Sequence, residues 1–136
     1  MRVRNTTAKA IYASGRRLKT ARPSPRKPIA KWPNTADNGG LRIAWMALLD
    51  TLAAQGKTID DKIDGYTEAQ RYFLGFGQVW CQNQTEKSAR QSALTDPHSP
   101  GRWRTNGSVQ NFDEFGKAFG CTKGQPMYPA NSCRVW

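Results

Sequence analysis

The chain has 136 residues, 38% of them hydrophobic and 23% charged, with a formal net charge of +11 and three cysteines. No run approaches the roughly 18 apolar residues that a membrane span needs, and an odd number of cysteines excludes a closed set of disulfides within the chain. The charge is segregated: ten of the 21 Lys and Arg, and none of the ten Asp and Glu, lie in residues 1–36, so the pI near 10.1 describes an N-terminal tail and not the nearly neutral remainder.

That tail, residues 1–33, is rich in Arg, Lys, Pro, Ser and Thr, and Pro23, Pro25, Pro28 and Pro33 interrupt any regular element. Its apolar content is too low to offset chain entropy, so disorder is expected. From Asp37 the pattern becomes helical. Asp37 can cap a helix over 37–55, with Leu41, Ala44, Trp45, Leu48 and Leu52 on one face at spacings of three and four. Gly56 would end it. Thr67 to Gln70 has the form of a capping box and opens an aromatic helix over 67–81 carrying Tyr72, Phe73, Phe76 and Trp80. An aromatic face at helical spacing predicts core, and Cys81 beside Trp80 can be read as a merely buried thiol. A polar helix follows over 86–93.

The loop Asp96-Pro97-His98-Ser99-Pro100-Gly101-Arg102-Trp103-Arg104 holds the only histidine. Pro97 and Pro100 fix φ on either side of His98 and keep it out of a helix. If His98 and Arg104 converge around Gly101, an imidazole and a guanidinium can meet one carbonyl or anionic group. The alternative is a polar loop histidine with no ligand. A short extended stretch over 103–105 and a turn at Asn106-Gly107 are expected next, then a helix over 112–119 capped by Asn111 and closed by Gly120. The body of about 100 residues can hold a core, although Trp45, Phe73, Phe76, Trp80 and Trp136 could together leave a large apolar patch exposed.

Several segments resemble, in order, the C-terminal end of the neprilysin and endothelin-converting-enzyme family of zinc metallopeptidases. They are Asn34-Thr35-Ala36-Asp37-Asn38-Gly39-Gly40-Leu41, Asp64-Gly65-Tyr66-Thr67, Gln70-Arg71-Tyr72-Phe73-Leu74-Gly75-Phe76, Gln78-Val79-Trp80-Cys81, residues 95–104, Asn106-Gly107, Glu114-Phe115, Ala118-Phe119-Gly120-Cys121 and Cys133-Arg134-Val135-Trp136. The resemblance implies a mainly α fold: residues 34–136 as the C-terminal fragment of a neprilysin-like (gluzincin) catalytic domain, behind the disordered basic tail. It also implies roles. His98 matches a histidine that stabilises the transition state, and Arg104 an arginine that holds the substrate backbone. Asp37 matches an aspartate that hydrogen-bonds a zinc-ligating histidine and fixes its tautomer.

The departures matter as much. The position of the family's zinc-binding glutamate is Pro33, and no His-Glu-x-x-His occurs, because the chain has one histidine. Catalytic zinc needs about three protein ligands and an open position, so zinc is expected in full-length relatives and not in this chain alone. Cys81, Cys121 and Cys133 match cysteines whose disulfide partners, in secreted, periplasmic or membrane-anchored relatives, lie earlier in the chain. No signal peptide is visible here.

The expected function is that of a C-terminal fragment of a zinc metalloendopeptidase, whose family hydrolyses peptide bonds, with the isolated chain inactive. The expected partners are a peptide substrate and a separate N-terminal peptidase part. A non-catalytic peptide-binding module is the alternative. Nucleic-acid binding rests on the tail alone, which interleaves only Tyr12 and Trp32 with its basic residues and is disfavoured on that ground.

Overall fold

A computed structural model of the chain describes residues 31–134. The expectations of disorder and nucleic-acid binding for the tail, and of exposure for Trp136, lie outside the described residues, except that residues 31–33 form the first turn of a helix. That helix, α1, spans Lys31–Ala54, about 36 Å of rise. Pro33 is tolerated there because the first turn has no internal partner for an N–H in any case. Asp37 is therefore not a cap, as the sequence pattern suggested, but a residue within the helix. The far end matches expectation. Gly56 takes a φ of 65°, the Lys57 N–H donates to Leu52 O at 2.8 Å and the Gly56 N–H to Ala53 O at 3.0 Å, the glycine-terminated closure that satisfies orphan carbonyls.

A two-residue hairpin follows, β1 Lys62–Ile63 paired antiparallel with β2 Tyr66–Thr67. It delivers the chain into α2, Glu68–Val79. Both halves of the capping box form, with the Gln70 N–H donating to Thr67 Oγ1 and the Thr67 N–H to Gln70 Oε1, each at 3.1 Å. The polar helix α3, Glu86–Thr95, has no buried residue.

The next two elements correct the sequence reading. Residues 103–107, expected as an extended stretch and a turn, belong to a helix, α4, Gly101–Val109. Its last turn buries Ser108 and Val109, and this tertiary burial outweighs the local turn preference of Asn106-Gly107. The final helix, α5, spans Asp113–Ala118, with Phe112 and not Asn111 at its N-cap. Asn111 instead donates to Gly107 O at 2.7 Å and accepts from the Cys133 N–H at 2.7 Å, tying the C-terminal segment to the body. Gly120 closes α5 as expected, at a φ of 65°.

The core is aromatic. Leu41, Trp45, Ala69, Phe73, Val109, Phe112 and Phe115 form one buried cluster. Phe73 is its hub, stacked on Trp45 at 5.3 Å and edge-on to Phe112 and Phe115 at 5.7 and 5.4 Å. Trp45 and Phe73 thus do not contribute to an exposed patch. Large apolar side chains that do face outward include Ile43 at 63% exposure, Met46 at 57% and Val79 at 74%.

Tyr72 links α2 to α1, its hydroxyl donating to Leu41 O. Burial pushes its phenol up to about 12 from an ordinary value of 10. A folded-state value above the unfolded one means the contribution is complete below pH 10 and is lost as pH rises through 12, because the unfolded chain gives up the proton first. Tyr72→Phe is expected to abolish this alkaline loss and to cost about 0.5–1.5 kcal/mol at neutral pH. Urea unfolding of both forms, at neutral and alkaline pH, checks it.

Candidate substrate-binding site

Three elements converge on Arg104. It lies in α4, whose N-cap is Pro100; the Trp103 and Arg104 N–H groups both donate to Pro100 O, at 2.8 and 3.2 Å. From α1, Asp37 meets the guanidinium as a fork: Arg104 Nε donates to Oδ2 at 2.6 Å and Nη2 to Oδ1 at 2.5 Å. Both side chains are largely buried, at 16% and 10% exposure, and two parallel bonds of this kind give direction as well as attraction. The Asp37 hydrogen bonds raise the Arg104 pKa above its ordinary value, so the charge is permanent. Below the guanidinium lies Trp80, the residue at the end of α2, with its ring centroid 3.8 Å from Arg104 Cζ.

His98 stands on the loop before α4. The Asp96 carboxylate accepts from the His98 backbone N–H at 2.8 Å and faces its ring Nδ1 at 2.8 Å. Those two bonds, the backbone one first, hold the Asp96 carboxyl below its ordinary pKa. An ionised carboxylate accepts only, so Nδ1 carries the proton and Nε2 is turned outward. The ring is half exposed, at 52%. His98 and Arg104 line one open recess of about 200 Å³, together with Trp80, Gln82, Ser92 and Asp96.

The structure thus brings His98 and Arg104 to one recess and places Asp37 behind Arg104, gripping it. Asp37 has no histidine to orient within this chain. Two contributors escaped the sequence reading. Asp96 was legible in principle, because an Asp two residues before a His can hold both its N–H and its ring. Trp80 was assigned to the core, and no local spacing signals that its face would meet an arginine 24 positions later. Cys81 is exposed and not buried, as is Cys133, with Cys121 between; none of the three thiols is paired. Among the described residues no group of three or more His, Cys, Asp or Glu could hold a metal ion, and no helix is long and apolar enough to cross a membrane.

The same segments recur in known proteins. Human endothelin-converting enzyme 1 is 44% identical over 103 residues, covering 76% of this chain and 13% of its own length. Mouse membrane metallo-endopeptidase-like 1 is 46% identical over 105 residues, covering 76% of this chain and 14% of its own. Among solved structures, the cryo-EM structure of the Mycobacterium tuberculosis zinc metalloprotease Zmp1 in its open state matches with a TM-score of 0.66 and 36% identity, over 76% of this chain and 16% of that one. The chain therefore spans about one seventh of the length of the relatives it matches. The model for Peptidase family M13 covers residues 28–135, the whole described body, and by that match and these identities the chain belongs to peptidase family M13.

Proposed function

We propose that this chain supplies the substrate-side wall of a zinc metalloendopeptidase and is inactive without a separate part carrying the metal. The reading is carried by one observation: an outward-facing His98 held by Asp96, and an Arg104 fixed by Asp37, open on the same recess. Such a pair suits a peptide carbonyl, with the guanidinium holding the ground state and the imidazole meeting charge that develops later.

The residues of this chain do not fit a catalytic zinc ion. His98 is the only histidine, and its Nδ1 is taken up by Asp96. Proline stands in the first turn of α1 where the family's glutamate would be. Zinc chemistry, where it occurs, comes from elsewhere. A missing partner is also supported by α1, which exposes Ile43 and Met46 besides burying Leu41, Trp45 and Leu52. A groove of about 470 Å³ between α1 and α2 is lined by Gly40, Ala44, Gly75, Phe76 and Val79, with Asp37 and Arg71 also on it, and apolar surface left exposed beside such a groove marks a contact face.

Two measurements test this reading. Dialysed chain with Cys81, Cys121 and Cys133 changed to Ser, which removes adventitious thiolate binding, is expected to hold no stoichiometric zinc; tight one-to-one zinc in that variant would overturn the metal assignment. Mixing the chain with endothelin-converting enzyme 1 that lacks the matching segment is expected to restore peptide hydrolysis. Hydrolysis by the isolated chain that persists in chelators would overturn the division of labour.

A further inference from the structure

We infer that Trp80 and Gly101 act together as the device that positions the Arg104 guanidinium. The inference rests on the proposed substrate role of Arg104 for its meaning, and on independent geometry for its content. The Asp37 fork fixes the guanidinium in its own plane, through Nε and Nη2. Two in-plane bonds leave tilting out of that plane unopposed. The Trp80 ring, 3.8 Å from Cζ, supplies the third direction, and an indole is the ring whose face attracts a cation most strongly.

The ring itself is placed by an unusually close approach. Gly101 is buried at the start of α4, and a Cβ built there would lie 2.8 Å from Trp80 O and 3.3 Å from Trp80 Cβ. Only a glycine lets α4 begin directly on the Trp80 backbone. Arg104, three residues on and so on the same helix face, then falls over the indole of the same residue. Trp80 has no orienting bond of its own: its Nε1 is buried without a hydrogen-bond partner. Its ring serves through its face, and the polar edge is superfluous.

The chain as it exists can be tested without activity. Its arginine Nε–H signals would be followed by 15N NMR, with far-UV CD to confirm the fold. In the native chain the Arg104 Nε–H is expected to exchange slowly, and its side chain to carry a ring-current shift. Trp80→Leu should remove the shift and speed exchange roughly tenfold, the order of a desolvated cation–ring contact. Trp80→Phe, which keeps a ring face and discards the unpaired N–H, should restore most of both. Gly101→Ala should behave like Trp80→Leu although it removes no contact from Arg104, and it provides a second route if Trp80→Leu does not fold. Unchanged Arg104 exchange in folded Trp80→Leu or Gly101→Ala would overturn the proposal, since Asp37 alone would then suffice. In the reconstituted peptidase, Trp80→Leu should raise KM and Trp80→Phe should not. If the NMR responses appear and KM does not move, positioning stands and the substrate role of Arg104 fails.

Discussion

In an assembly of this chain with the remaining part of a relative's catalytic domain, His98→Ala is expected to lower kcat by roughly 10²–10³-fold with little change in KM. The reason lies in the orientation of the ring. With Nδ1 committed to Asp96, Nε2 is the nitrogen that can face an oxygen gaining negative charge. Asp96→Asn keeps an oxygen for the backbone bond and removes the charge, so it should reduce kcat by less than His98→Ala does. Arg104 should separate cleanly from His98. Arg104→Lys retains the charge opposite Asp37 but loses the planar fork, so its effect is expected mainly on KM. Steady-state kinetics on the four assemblies decide the matter. A His98→Ala effect confined to KM would show that the imidazole binds ground state and transition state alike.

The second large effect concerns the fold. Phe73→Ala is expected to destabilise the body by about 3–5 kcal/mol, a large part of the roughly 5–15 kcal/mol typical of a domain. Phe73 is 3% exposed and touches rings from α1, from the N-cap of α5 and from α5 itself, so no single neighbour can collapse into the space it leaves. Leu94→Ala, at a position 67% exposed, is expected to stay within about 0.5 kcal/mol of the parent. Urea titrations followed by CD compare the two. A loss below about 1 kcal/mol for Phe73→Ala would mean that the aromatic cluster is loosely packed.

What could be read in advance was what is local. Thr67 and Gln70, and the glycines at 56 and 120, signal their helix ends through bonds spanning three to five residues, and these signals hold. Helix α4 was missed because its cause is distant. Asn106-Gly107 favours a turn in isolation, and only burial of Ser108 and Val109, with the seat of Gly101 on Trp80, makes that stretch helical. Asp37 was misplaced for a similar reason: a carboxylate near a helix start suggests a cap, whereas its partner lies 67 residues away. The family resemblance singled out His98, Arg104 and Asp37 one at a time. That Asp37 grips Arg104, and that an indole lies beneath them, depends on helix packing that neither motif nor spacing encodes.

The outward-facing Ile43, Met46 and Val79 also determine how the isolated chain responds to denaturant and heat. Unfolding exposes little new surface at side chains already in water, so both the urea slope and the heat-capacity increment are set by the smaller area that the core keeps dry. A body of this length with apolar side chains of α1 left in water will therefore melt over a broad range, and the transition will sharpen and move upward when a partner covers that face.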